Sequence, residues 1–459
     1  MNFDIRKNCV KIGKQISKGG FGFVYFAKIS DMPQEEKYKN NNNVVFIKMT
    51  DDDKPNAAVK NIKHSDSRGV DSLCELYILN RIHHPYILHC CACDINKDGD
   101  IRIVLPLACS DLSVIRKTKI KLPLHILRKW CWQMVTAVSH LHSNGIVHAD
   151  IKPGNVLLYG DLNDLENVVI KVSDYSLSVI ITDPKKGTYD VDGWHSYTST
   201  FRPIEIWQKE AWSYPSDIWA LGCTFYEMLY GVVLFYDQGD VKNEDELAID
   251  AIVEWSKKNL HHNIENLTTP KIRTQSISIH HVPIPPTIFN VHYSSSAPES
   301  THFIDKYTFK PCNLSSDWFN SNNHEFNELI LSMLDINPLK RITIWELLEH
   351  PYFDELYDEN LVPKRKSYPY IAYGIEKAPK NIVDKFEKYT ADVNVCSIAL
   401  SLYLRSRTES DDDPKIETCI LVAHKLLYKS GPKNLPKSTL ESRLDEARLC
   451  QILNFNLLP

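Results

Sequence analysis

The stretch His148-Ala149-Asp150-Ile151-Lys152-Pro153-Gly154-Asn155 sets a carboxylate, a cation and an amide close together on one loop. Proline and glycine inside it interrupt any regular helix or strand. On its N-terminal side the period is helical. From Leu124 onward, Leu127, Trp130, Met134, Val138 and Leu141 line one face, and Asn144-Gly145 supplies the stop. On its C-terminal side an apolar run from Val168 to Val172 leads into Asp174-Tyr175-Ser176.

Upstream, roughly the first hundred residues alternate apolar and polar positions in short runs broken by Gly, Asn and Asp, a pattern that predicts an antiparallel sheet. Glu35 to Asn43 reads as an exposed loop between two strands. Leu73, Leu76, Leu79 and Ile82 predict a helix that stops at His84-Pro85. Downstream, a second strong helix is expected from about Ser216 to Leu229, with helical spacing resuming at Leu329–Leu334 and Ile344–Leu348. Between them, residues 260–325 are rich in Ser, Pro, His and Asn and read as a long irregular insertion.

The chain has 459 residues, 43% apolar and 24% charged, and a net charge of −5. That balance is ordinary for a soluble globular protein and speaks against nucleic-acid binding. No run reaches the apolar length a bilayer demands, and the first residues do not form a signal peptide, so an intracellular, soluble protein of the cytoplasm or nucleus is expected, without membrane partners. Of the twelve cysteines, Cys131, Cys223 and Cys419 sit in apolar stretches and read as small buried thiols. Cys90, Cys91 and Cys93 are too closely spaced for the usual zinc pattern.

In order and spacing these motifs resemble the protein kinase family, over about 350 residues. The handling of phosphate in that family rests on positioning and charge compensation, and the resemblance implies the following roles. Ile16-Ser17-Lys18-Gly19-Gly20-Phe21-Gly22-Phe23-Val24 is similar to the loop that covers the nucleotide phosphates. Gly19 and Gly22 match its second and third glycines, and Ser17 replaces the first. Val45-Phe46-Ile47-Lys48 resembles the strand whose lysine neutralises the phosphates. Lys48 is expected to pair with Glu75, shortly before the His84-Pro85-Tyr86-Ile87 run. Leu105-Pro106-Leu107-Ala108 resembles the hinge, where Pro106 offers a carbonyl and Ala108 an N–H to the base; Ile16, Val24 and Asp111 complete the expected ATP site. Asp150 resembles the catalytic base, Lys152 the stabiliser of the transferring phosphoryl group, and Asn155 and Asp174 the ligands of Mg2+. Thr198, seven residues before Glu205, matches the threonine that touches the catalytic loop in Ser/Thr kinases. Glu205, Arg341 and Asp217 match buried structural anchors.

Three positions depart from the family pattern. Phe46 stands in place of a small alanine above the base and is expected to crowd the nucleotide. Ala149 replaces the arginine before the catalytic carboxylate, so dependence on a phosphorylated activation segment is expected to be weak. Ser176 replaces a glycine and is expected to stiffen the backbone after Asp174.

The tail holds three amphipathic stripes: Val395, Ile398, Ala399, Leu402 and Tyr403; Ile416, Cys419, Ile420, Ala423 and Leu427; and Leu449, Ile452 and Leu453. The second and third resemble the first half of a cyclin box, with Lys425 and Glu446 at the positions that contact the helix carrying the kinase's glutamate. That arrangement resembles the kinase–cyclin fusions of large DNA viruses. The expected fold is α+β: a two-lobed protein kinase fold with an antiparallel-sheet N-lobe (1–108) and a helical C-lobe (109–355), a linker (356–383) and a small all-α cyclin-like domain (384–459). The expected activity is ATP- and Mg2+-dependent phosphorylation of Ser/Thr on protein substrates, regulated by the tail in cis or by contact with a separate kinase in trans. The alternative is a kinase-like scaffold that binds a separate kinase or cyclin.

Overall fold

The computed structural model describes residues 9–19, 22–29, 45–48, 54–62, 73–95, 100–181, 198–207, 213–235, 324–363, 386, 393–406, 416–428, 445 and 449. The expected loop at 35–43, nearly all of the insertion at 260–325, the linker beyond residue 363, Glu446, Ile452 and Leu453 lie outside the described residues, as does the side chain of Lys425.

The alternating N-terminal segments form one six-stranded sheet. Its strands are β1 (Cys9–Gly19), β2 (Gly22–Ile29), β3 (Val45–Lys48), β4 (Ala57–Ile62), β5 (Ala92–Ile95) and β6 (Ile101–Pro106), in the order β3-β1-β2-β4-β6-β5. All pairs are antiparallel except β3 with β1, which run parallel. The sheet is thus antiparallel, as expected, with one parallel pair at its edge. The far edge of β2 is taken by β4, so Val45–Lys48 pairs along the edge of β1 instead. Asn56 fixes β4 beside β2: its Oδ1 accepts from Ile29 N at 2.8 Å and its Nδ2 donates to Ile29 O at 2.9 Å. The two strands then lie so close that a Cβ at Gly22 would stand 2.4 Å from Asn61 O. Glycine is required there by strand packing alone.

Helix α1 (Leu73–Arg81) buries Leu73, Leu76, Ile78 and Leu79, together with the carboxylate-bearing Glu75. The run that stops it, His84 to Leu88, ties this lobe to the next: Leu88 N donates to Val172 O and Val172 N to Tyr86 O. The larger lobe is built on α3 (Leu124–Ser143), preceded by β7 (Ser110–Asp111) and α2 (Val114–Thr118). The face read from the sequence, including Leu127, Trp130, Met134, Val138 and Leu141, is at most 1% exposed. Two small sheets follow: β10 (Val169–Val172), β9 (Val156–Tyr159) and β7 in one, and β11 (Val179–Ile180) with β8 (Ile146–Val147) in the other. Helices α4 (Ile204–Trp207), α5 (Tyr214–Tyr230), α6 (His324–Met333) and α7 (Ile344–Leu348) complete the lobe.

Beyond α7 the chain turns back along α3. Phe353 packs on Trp132 with ring centroids 5.5 Å apart, and the Arg128 guanidinium lies 4.7 Å from the Tyr352 ring centre. The segment reaches the turn after α1, where Leu361 O is 3.4 Å from His84 Nε2. Helices α8 (Val393–Ser406) and α9 (Ile416–Tyr428) pack on each other, and α9 also packs against α1 and β11. Val395, Ile398, Ala399, Leu402, Cys419, Ile420, Ala423 and Leu427 belong to the same apolar core as Leu73, Leu76 and Leu79. Among the described residues no helix is long and apolar enough to cross a membrane.

Candidate active site

The loop from His148 to Asn155 is held from below by α5. Asp217 accepts at Oδ2 from His148 N (2.8 Å) and from His142 Nε2 (2.9 Å), and at Oδ1 from Ala149 N (2.9 Å). Ala149 is in the left-handed region, φ 65°, a conformation costing on the order of 1–3 kcal/mol for a residue with a side chain. The charge-assisted bonds from Asp217 offset that strain. His148 is fully buried; its Nε2 meets Ser173 O at 3.1 Å and its carbonyl accepts from Ser178 Oγ at 3.0 Å.

Above this base the polar groups read from the sequence converge. Lys152 Nζ donates to Asp150 Oδ2 at 2.7 Å and to Thr198 Oγ1 at 2.6 Å, and Thr198 Oγ1 is 3.2 Å from Asp150 Oδ1. Asn155 Nδ2 donates to Asp150 O and Oδ2, each at 2.8 Å. With its amide nitrogen so engaged, Asn155 keeps its Oδ1 as an acceptor. Ser173 N and Oγ both donate to Asn155 O, at 2.8 and 2.9 Å, and this sets Asp174 beside Asn155.

The lysine that meets Glu75 is Lys60, not Lys48. Lys60 Nζ is 2.6 Å from Glu75 Oε1 and 2.8 Å from Asp174 Oδ1. Lys48 belongs to β3 at the edge of the sheet, paired with Ile12 and separated from β4 by β1 and β2. The sequence offers two strand segments ending in lysine, and β4 is the one flanked on both sides by other strands. Phe46 moves with this correction: it pairs with Val10 on the edge strand, while Ala58 stands two residues before Lys60. The side chain of Phe46, on which the expected crowding of the base rests, lies outside the described residues. A signal for Lys60 was present, since Ala58-Val59-Lys60 stands 15 residues before Glu75 and Lys48 lies farther off.

Burial opposes the charge on Lys60, but Asp174 and Glu75 outweigh it and hold its pKa above the ordinary lysine value. Burial likewise works against ionisation of Asp174, and the Lys60 ammonium reverses this, holding the carboxyl well below the usual range. Both groups are therefore charged at neutral pH. Tyr175 points into the core, its ring 5.2 Å from that of His148 and its hydroxyl donating to Val172 O at 2.6 Å.

Pro106, expected in the hinge, ends β6 opposite Ala57, and its carbonyl accepts from Tyr159 Oη at 3.2 Å, a partner absent from the sequence reading. Ala108 follows in the turn to β7. Asp111 Oδ1 accepts from Ser113 N at 2.8 Å and from the Ser113 hydroxyl. Gly19 and Gly22 pair across the end of the β1–β2 hairpin, with Ser17 opposite Val24; Ile16 is exposed.

Farther out, Arg341 forms a two-pronged pair with Glu205 (Nη1–Oε1 2.7 Å, Nη2–Oε2 3.2 Å), donates to Pro215 O at 2.7 Å and lies 5.1 Å from the Trp219 ring centre. Both side chains are at most 2% exposed. Arg341→Ala strands a buried carboxylate and is expected to cost about 3–5 kcal/mol in urea unfolding, with a smaller loss when Glu205→Met accompanies Arg341→Met.

Comparison with known proteins agrees with this architecture. Residues 41–353 match the protein kinase domain. The chain is 25% identical over 356 residues to cyclin-dependent kinase E-1 of Arabidopsis thaliana, covering 74% of this chain and 65% of that protein. It is 27% identical over 246 residues to the human dual specificity protein kinase CLK2 (52% and 45%), and 25% identical over 320 residues to the serine/threonine-protein kinase crk1 of Schizosaccharomyces pombe (68% and 81%). The chain thus spans less than two thirds of the Arabidopsis and human relatives. With more than half of its length matched, the chain belongs to the protein kinase domain family.

Proposed function

We propose that this chain transfers the terminal phosphoryl group of ATP to Ser and Thr hydroxyls of protein substrates. The observation that carries the reading is the convergence of Asp150, Lys152 and Thr198 in one hydrogen-bonded cluster and of Lys60, Glu75 and Asp174 in another. Asp150 accepts the proton of the incoming hydroxyl and orients it. Lys152, anchored between Asp150 and Thr198, offsets charge on the phosphoryl group in flight, and Lys60 neutralises the remaining phosphates. Glu75 holds Lys60 in place from α1. The Thr198 and Lys152 contact supports Ser/Thr substrates by resemblance, and a tyrosine peptide belongs in the assay because one relative is a dual specificity kinase.

A divalent cation fits the donors present. Asp174 Oδ2 and Asn155 Oδ1 take no hydrogen bond among the described residues, and both are the hard oxygen donors that magnesium prefers. When bound there, the ion supplies charge neutralisation between the phosphates. The tail supports the rest of the proposal: α9 covers α1, so the cyclin-like segment acts in cis by keeping Glu75 turned toward Lys60. The expected contacts from Lys425 and Glu446 remain part of this reading, as does an intracellular setting.

The test is a phosphotransfer assay on a generic protein substrate. Asp150→Asn is expected to lower kcat by about 10²–10⁴, with Asp174→Asn inactive. If the parent and both variants label substrate equally poorly, the scaffold reading takes its place.

A further inference from the structure

Asp174 stands in left-handed backbone, φ 63°, and only its Oδ1 is held within the described chain. Two donors share that oxygen: Lys60 Nζ at 2.8 Å and Ser176 Oγ at 2.9 Å. They differ in kind. Lys60 arrives from the sheet and is shared with Glu75 on α1, so its hold depends on where α1 sits. Ser176 is on the same segment, two residues on, and is 3% exposed, so its hold is local. The terminal torsion of an aspartate is broad and roughly two-fold, and a single donor leaves the carboxylate plane poorly fixed. Two donors from different directions define it.

We infer that Ser176 is a positioning residue for the metal-binding carboxylate: its hydroxyl pins Oδ1 so that Oδ2 faces the cation beside Asn155 Oδ1. The ligand is a hard divalent cation carried with a nucleotide phosphate. The inference rests on the reading of Asp174 as a metal ligand. It gives the departure from glycine at this position a chemical role, since glycine has no hydroxyl to offer.

The test titrates manganese(II) into the full chain in the presence of a non-hydrolysable ATP analogue, reading free ion by its paramagnetic resonance signal. Ser176→Ala and Ser176→Gly are each expected to raise the manganese dissociation constant about tenfold, as loss of an outer-shell partner does elsewhere. The unfolding midpoint without metal should stay unchanged. The glycine variant guards against an effect of the alanine methyl. Asp174→Asn separates the two levels of the argument. If it abolishes manganese binding while both Ser176 variants bind like the parent, the positioning role is overturned and the kinase reading stands. If Asp174→Asn binds manganese like the parent, both fall. A lower melting point with unchanged manganese affinity makes Ser176 merely structural and also overturns the inference.

Discussion

Replacing Lys60 by alanine is expected to lower kcat by about a hundredfold or more, and replacing Lys48 to leave it within about a factor of two. The contrast follows from sheet order. Lys60 lies on a strand with neighbours on both sides, and its ammonium is shared by Glu75 and Asp174 at hydrogen-bond distance. On the proposed function its removal takes away a charge that faces the phosphates, and it takes from Glu75, with a side chain 2% exposed, the Lys60 ammonium. A buried carboxylate that loses its cation costs several kcal/mol or takes up a proton. Either outcome frees α1 to shift. Steady-state rates for the two variants, with melting points measured alongside, check the assignment. Equal losses at the two lysines would undo it.

The second large effect is expected from the tail. Ile420 is fully buried in α9, the helix that packs on α1 and β11. Ile420→Asp places a charge in that apolar contact and should loosen α9. If α9 holds α1 in the position that pairs Glu75 with Lys60, kcat/KM falls about ten- to a hundredfold, the range of an ordinary coupling between sites. Leu404, 41% exposed on α8, is the control, and Leu404→Asp should leave turnover alone. Hydrogen exchange on α1 reads the same coupling without chemistry. Parent-like turnover with α9 demonstrably loosened would sink the idea of control in cis.

The loop from His148 to Asn155 was legible because its polar groups are packed into one short stretch. Asp150, Lys152 and Asn155 are near neighbours in sequence, so their convergence in space follows directly. Asp174, Glu205, Asp217 and Arg341 were legible by their order and spacing, and each finds a partner at hydrogen-bond distance. The lysine was misread for a physical reason. Val45–Lys48 and Ala57–Lys60 are both short apolar segments ending in lysine, and nothing inside either says which neighbour it will have. That is settled by which sheet edges remain open and by Asn56, whose amide clamps β4 to β2. The same limit applied to the tail. Its helices were visible as stripes of Ile, Leu and Ala, but the surface they cover is a long-range choice that periodicity does not encode. Tyr159 was missed because an isolated tyrosine on a strand gives no sign that its hydroxyl will find the Pro106 carbonyl.

The packing of α9 on α1 also has a consequence in time. Arg81 ends one helix and Ile416 begins the other, about 335 residues later. A ribosome adding about 5–20 residues per second needs on the order of half a minute to cross that interval. Throughout it, the surface of α1 that α9 will cover has no permanent cover, and the glutamate it carries has no fixed address. The sheet and the larger lobe are made first, and the piece that closes over α1 emerges after them. A nascent chain of this kind offers a sticky helix to the folding machinery of the cell throughout that interval.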